Sequence, residues 1–185
     1  MKPIATVDRV FELLATGGGA AYFGEPVTVL EHSLQAAWFV QRSGSDASPA
    51  LVAAALLHDL GHLMHSEGED VAQRGLDTRH EELAAAALAG HLPDSVLDPI
   101  RMHVAAKRYL CFAEPDYLAG LSPASLESLA LQGGPMTASE AEEYLALPHA
   151  REALSLRRAD DSAKVPGLSI PGLESYRALV SALWS

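Results

Sequence analysis

The sequence predicts an all-α fold, a helical bundle in a single domain spanning residues 1–185, on three observations. Alanine and leucine dominate while isoleucine is scarce, no run of alternating Val/Ile/Thr carries hairpin punctuation, and capping or breaking residues recur at helix-length intervals. Each element follows from its ends. A first helix at about 6 to 16 should stop at the glycines Gly17 to Gly19, and a second should open at Pro26 as its first helical residue and end near Gly44. "SPALVAAALLHDLGH" begins with Ser48 as N-cap and Pro49 behind it. "TRHE", residues 78 to 81, has the form of a capping box leading into "ELAAAALAG", which closes at Gly90. A longer helix is expected from about Val96 to Leu110, with Pro99 in or near its first turn. Ser122-Pro123 starts another that ends at "QGGPM", Thr137 with Glu140 forms a second capping box, and Pro148 should open the helix carrying "REALSLRRADD". "PGLESYRALVSALW" has the pattern of a final amphipathic helix. The longest irregular stretches are 63 to 77 and 161 to 171, and no internal repeat is present.

Composition narrows the function classes. A chain of 185 residues with 49% hydrophobic content can bury a real core, and a formal charge of −11 is not that of a nucleic-acid surface. Cys111 is the only cysteine, so an internal disulfide and a thiolate cluster are excluded, and histidine and carboxylate remain as the strong metal ligands. A reducing cytoplasm is the expected compartment. Pro3, Asp8 and Glu12 interrupt the first residues, which lack the apolar run of a signal peptide, and no segment approaches the roughly 18 apolar residues of a membrane span.

Within "AALLHDLGHLMH", residues 54 to 65, an apolar helix acquires three histidines and an aspartate. Adjacent helical residues point about 100° apart, so His58 and Asp59 cannot share one face, yet they can converge on ions lying in the angle between them. A carboxylate can bridge two cations whereas an imidazole gives one nitrogen to one, so the pair suits a dinuclear centre. Candidates for the remaining ligands lie on separate expected helices: His32 in "LEHSLQAA", His80, His103 in "RMHVAAKRYL" and Asp160 in "RRADD". Each alone is more often a surface or hydrogen-bonded core residue than a ligand; the ordered set is what points to metal.

That order, His32, His58-Asp59, Asp160, resembles the H…HD…D signature of the HD-domain superfamily of helical metal-dependent proteins, and His80 and His103 between the doublet and the final aspartate resemble its two-metal subset. The stretches "YFGEPVTVLEHSLQAAWFVQRSG", "ALLHDLGH", "MHVAAKRYL", "SPASLESLALQGGPM" and the Arg-Ala-Asp run before "KVPG" are similar, in sequence and order, to bacterial HD-domain mixed-valent diiron oxygenases of organophosphonate breakdown. The similarity runs roughly from Tyr22 to Tyr176; inositol oxygenase is a more distant relative of the same iron chemistry.

The resemblance implies an Fe(II)/Fe(III) pair held by His32, His58, Asp59, His80, His103 and Asp160, with Asp59 bridging and O2 as cosubstrate. Spacing alone is compatible with Fe, Mn, Zn or Mg. Tyr22 would cap an iron until substrate arrives, and Glu25 would contact a cationic substrate nitrogen. Phosphonate contacts would come from Lys107, four residues after His103; Arg157, three before Asp160; His62, four after His58, which would also serve the chemistry; and Ser125. Arg108 and Arg158, their neighbours, should point elsewhere. The implied reaction is O2-dependent C–P cleavage of a 1-hydroxy-2-aminoethylphosphonate or its trimethylammonio analogue, releasing phosphate with glycine or glycine betaine, after an upstream hydroxylase has made the 1-hydroxyphosphonate. Phe23 beside Tyr22 and Glu25 favours the trimethylammonium, which aromatic faces hold well. The competing reading is a two-metal phosphohydrolase acting on a phosphomonoester or nucleotide.

Overall fold

A computed structural model of the chain describes residues 4–44, 47–64 and 78–185. His65 and most of the expected irregular stretch at 63–77 lie outside the described residues. Five of the ten α-helices among the described residues open behind a side chain that accepts from an otherwise orphaned amide. Thr6 accepts from the Arg9 amide and opens α1 (Val7–Gly17).

The second helix starts later than expected. Pro26 lies not in a helix but in a small antiparallel hairpin of β1 (Ala21–Tyr22) and β2 (Glu25–Thr28). Thr28 and Glu31 then form a reciprocal capping box that opens α2 (Val29–Gln41). The two residues of the hairpin turn, Phe23 and Gly24, have φ of 42° and 77°, the left-handed pair whose twist matches antiparallel strands. Tyr22 and Glu25 are thereby set directly opposite each other.

Ser48 caps α3 (Pro49–Leu57), as expected. Every residue from Leu51 to Leu57 is buried, so α3 has no polar face and is enclosed on all sides, with alanines letting its neighbours approach closely. After it come a 3₁₀ turn (Leu60–Leu63) and α4 (His80–Leu88). The N-cap of α4 is Arg79, in a left-handed conformation with φ 49°, rather than the expected Thr78. The next helix, α5 (Asp94–Ala113), is longer than expected at both ends and carries Pro99 inside it. A short α6 (Pro115–Ala119), which the sequence did not signal, leads to α7 (Pro123–Leu131), capped by Ser122. The Thr137–Glu140 capping box opens α8 (Ala138–Leu145) as expected. His149, not Pro148, caps α9 (Ala150–Ser162), and the last expected helix divides into a 3₁₀ turn (Leu173–Tyr176) and α10 (Arg177–Leu183).

The ten α-helices among the described residues make the fold all-α apart from the hairpin. α5 packs along α9, α3 and α4, while α2 lies against α3 and α9. The helices that bear the expected metal ligands therefore surround the buried end of α3. Among the described residues, no helix is long and apolar enough to cross a membrane.

Candidate metal centre and substrate pocket

α3 ends one residue before its chemistry begins. His58 is its C-cap, and Asp59, at φ −98° and ψ 8°, turns the chain out of the helix. The carbonyl of Ala55, near the helix end, accepts a hydrogen bond from His58 Nδ1 at 2.8 Å. His32 Nδ1 donates to Ala163 O at 2.9 Å, beyond the end of α9, and His103 Nδ1 donates to Ile100 O at 2.7 Å. A carbonyl can only accept, so in all three rings Nδ1 carries a proton, and in the neutral imidazole the Nε2 lone pair is exposed.

Those lone pairs point at one another. His32 Nε2 lies 3.2 Å from His58 Nε2, and His80 Nε2 lies 3.0 Å from His103 Nε2. Asp59 stands between the pairs. Its Oδ2 is 3.4 Å from both His32 Nε2 and His58 Nε2; its Oδ1 is 3.3 Å from His80 Nε2 and 3.7 Å from His103 Nε2. Asp160 Oδ1 completes the first side, 3.3 Å from His32 Nε2. All six side chains are buried. Burial and the neighbouring rings push His103 well below the ordinary histidine value, and burial lowers His58 too. Burial also lowers His80, but the hydrogen bond and charge of Asp59 outweigh it and raise that ring. Burial opposes the charge on Asp59, yet the facing imidazoles outweigh it and hold the carboxyl ionised. Converging imidazole nitrogens around a charged carboxylate, with Nδ1 protons anchored on carbonyls, form overlapping groups that could hold metal: His32, His58 and Asp59; His58, His103 and Asp160; and Asp59, His62 and His80.

Gly61 is a steric requirement of this arrangement. A Cβ at that position would fall 2.0 Å from the carbonyl oxygen of His80, so backbone must move to admit one. Gly61→Ala is expected to destabilise the chain by about 1–3 kcal/mol and to weaken metal binding on the His80–His103 side, checked by thermal unfolding and metal content.

His62 reaches this region by a different route from the α-helical spacing expected of it. The 3₁₀ turn brings its Nε2 to 3.9 Å from Asp59 Oδ1 and stacks its ring on His80, 3.9 Å between centroids. Phe23 covers its other side at 4.2 Å. Tyr22 stacks on His32 at 3.9 Å and donates its phenol proton to Asp59 Oδ2 at 2.7 Å. Burial and the charge of Asp59 raise the Tyr22 pKa well above the ordinary phenol value, so this proton stays on the phenol.

Two buried cations flank the carboxylates. Lys107 Nζ donates to Ser128 Oγ at 2.7 Å, and it has no carboxylate within ion-pair distance among the described residues. Burial, and next the charge of Arg157, push its pKa down to about 7. Arg157 holds Asp160 Oδ2 through Nη1 at 2.7 Å and also pairs with Asp161, while its Nε donates to Tyr117 Oη at 3.0 Å. Its guanidinium thus fixes a candidate ligand. Arg108 and Arg158 point elsewhere, as expected: Arg108 bonds Gly134 O and Glu140, and Arg158 bonds Glu114. Ser125 is buried in the first turn of α7, close to Glu25, Ser122 and Lys164.

Several of these residues are not among the candidates taken from the sequence: Gln35, Tyr117, Ser122, Ser128, Asp161 and Lys164. Gln35, one turn after His32, grips the Val165 backbone with both ends of its amide, donating to the carbonyl at 2.8 Å and accepting from the amide at 2.9 Å.

The HD domain model matches residues 29–161. The chain is 43% identical over 181 residues to the hydroxymethylphosphonate dioxygenase of Gimesia maris, an alignment covering 97% of this chain and 89% of that one. It is 37% identical over 166 residues to the [1-hydroxy-2-(trimethylamino)ethyl]phosphonate dioxygenase (glycine-betaine-forming) of Leisingera caerulea, covering 90% and 84%. It is also 33% identical over 179 residues to the uncharacterized protein L432 of Acanthamoeba polyphaga mimivirus, covering 96% and 81%.

Proposed function

We infer the activity of this chain from its family: it belongs to the HD-domain proteins, together with relatives named phosphonate dioxygenases. The activity we propose is O2-dependent oxidative cleavage of the C–P bond of a 1-hydroxyalkylphosphonate. The observation that carries it is the pairing of a two-metal donor set around Asp59 with a buried lysine that lacks a carboxylate partner among the described residues. The first is compatible with iron and the second suits a small anion; the dioxygenase names of the relatives favour oxygenation over hydrolysis.

The balance requires no external reductant. With R the substituent on C1, R–CH(OH)–PO3H2 and O2 give R–COOH and H3PO4. The C–H and C–P bonds each yield two electrons, O2 takes all four, and its two oxygen atoms end in the carboxylic acid and the phosphate. A hydrogen as R gives formate; an aminomethyl or trimethylammoniomethyl group gives glycine or glycine betaine. The substrate must come from an enzyme that hydroxylates C1 of a phosphonate.

His32, His58, Asp59 and Asp160 would hold one iron, and Asp59, His80 and His103 the other. When bound, the iron pair supplies the redox chemistry with O2. The chain's own groups do the rest. Lys107, Ser125 and Ser128 receive the phosphonate oxygens, with Arg157 beside them holding Asp160, so that the leaving phosphorus meets fixed positive charge. Phe23, Tyr22 and the packed rings of His62 and His80 cover the centre and exclude water. His62 lies where it can orient the substrate or hold a proton. Tyr22 holds a proton against Asp59 and must turn away if the substrate is to take its place.

The test is anaerobic reconstitution with iron, partial oxidation, and measurement of O2 uptake and phosphate release over a panel of 1-hydroxyphosphonates. A mixed-valent signal in electron paramagnetic resonance with stoichiometric phosphate supports the reading. Metal-dependent hydrolysis of phosphomonoesters without O2 overturns it. Tyr22→Phe is expected to retain two metals per chain while changing the spectrum of the loaded centre; an unaltered spectrum counts against Tyr22 as a gate.

A further inference from the structure

The hairpin that sets Tyr22 over the candidate metal centre also carries Glu25, directly opposite it, and that carboxylate is already paired. Lys164 Nζ lies 2.9 Å from Glu25 Oε1, 3.3 Å from Ser122 Oγ and 3.2 Å from Ser125 Oγ. Ser122 donates to the same Glu25 oxygen at 2.6 Å. The lysine and glutamate side chains are only 15% and 13% exposed. Burial works against the Glu25 charge, but the hydrogen bonds from Lys164 and Ser122 outweigh it and keep the carboxyl below its ordinary range.

Lys164 is also held by its backbone. His32 bonds the carbonyl of Ala163 on one side, and Gln35 bonds both the amide and the carbonyl of Val165 on the other. Both anchors project from α2, which also presents His32 to the metal centre. A lysine fixed at both neighbours, with its ammonium among one carboxylate and two hydroxyls, is a built part of the pocket rather than a solvated surface charge.

The chemical consequence concerns the substituent on C1. An unpaired carboxylate would draw in a substrate's cationic nitrogen, whereas a carboxylate neutralised by a lysine offers no net charge. A cationic substituent must then displace Lys164 or lie beside a like charge. We propose that Lys164 is a specificity-determining residue: paired with Glu25, it biases the pocket towards 1-hydroxyphosphonates whose substituent carries no cation, and against those with an ammonium or trimethylammonium group. This rests on the phosphonate reading given above.

The experiment compares the iron-loaded full chain with Lys164→Gln, Lys164→Arg and Glu25→Gln. Kinetics are measured by O2 uptake and phosphate release with hydroxymethylphosphonate, 1-hydroxy-2-aminoethylphosphonate and its trimethylammonio analogue. Binding is measured in parallel, by calorimetry without O2, for methylphosphonate and 2-aminoethylphosphonate, which lack the reacting hydroxyl. Lys164→Gln should shift the cationic-to-neutral ratio of kcat/KM, and of affinity, by roughly tenfold or more towards the cationic member. Lys164→Arg should keep the wild-type ratio, and Glu25→Gln should not produce the gain. Ratios unchanged within about twofold in Lys164→Gln, or an equal shift in Lys164→Arg, overturn the proposal. If the wild-type chain turns over none of the three substrates, the phosphonate oxygenase reading fails, and the calorimetric ratio decides the role of Lys164 by itself.

Discussion

Asp59→Asn is expected to lower turnover by at least about 10³-fold and to reduce bound metal from two ions per chain to one or fewer. The two carboxylate oxygens face different histidine pairs, Oδ2 towards His32 and His58 and Oδ1 towards His80 and His103. Asparagine keeps the shape but has one carbonyl oxygen; its amide nitrogen would aim donors, not lone pairs, at whichever side it faced. It also removes a full negative charge from a buried site that, on the proposed reading, would hold two cations. Elemental analysis after reconstitution measures the loss, and circular dichroism shows whether the variant stays folded. His80→Ala or His103→Ala should strip the Oδ1 side while leaving His32, His58 and Asp160 able to hold one ion. Full two-metal content in any of these variants would refute the six-ligand assignment.

The convergence of the six candidate side chains is legible because its signal is local and ordered. A His-Asp doublet at the end of a wholly apolar helix is a costly placement for two polar side chains, and the other candidates follow one per helix. Helix starts are legible where a cap lies next to the first turn, as at Ser48, Ser122 and Thr137. They are misjudged where a proline competes with a better cap: Pro26 can open a helix, but the Thr28–Glu31 box satisfies more amides two residues later. The hairpin is too short for a period-two pattern, so its only sequence signal is the Phe23-Gly24 turn.

Spacing carries less information about the cations. Arg157 is correctly placed near Asp160 by a helical turn, but the same turn lets it close on the acids of its own helix, Asp160 and Asp161. Sequence distance cannot say which way a guanidinium will face. His62 shows the same limit, since the spacing that suggests an α-helical turn is realised as a 3₁₀ turn. The Lys164–Glu25 pair joins residues 139 positions apart, and no local pattern connects them. The hairpin that supplies Tyr22 and Glu25, and the segment that supplies Lys164, also lie outside residues 29–161, the span matched by the HD model. The proposed metal ligands and phosphonate contacts lie within that span, whereas the groups proposed to meet the C1 substituent lie outside it.

Lys107→Met is expected to lower kcat/KM for a 1-hydroxyphosphonate by about 10²–10³-fold, while Arg108→Ala changes it by no more than a few fold. The two residues are adjacent in α5, but Lys107 is buried beside Ser128 and Arg157, whereas Arg108 is tied to Gly134 and Glu140. Equal losses would remove the case for a phosphonate site on the Lys107 face. The pH dependence gives an independent check. Burial and then Arg157 push the Lys107 pKa down to about 7 from 10.5, and a phosphonate would bind the ammonium rather than the amine. Below pH 7 the ammonium is already present; above it, each unit costs up to roughly tenfold in Lys107's contribution to affinity until the pKa of the bound state is passed. The affinity advantage of wild type over Lys107→Met should therefore be greatest below pH 7 and shrink as pH rises, whatever charge the phosphonate itself gains, because that change is common to both proteins. Stability follows the opposite sign. Between about 7 and 10.5 the unfolded chain holds the Lys107 proton and the empty folded site does not, so this residue's contribution to stability rises with pH across that window. Saturating methylphosphonate, by restoring the proton in the folded state, should flatten that rise, which thermal unfolding with and without the ligand would measure.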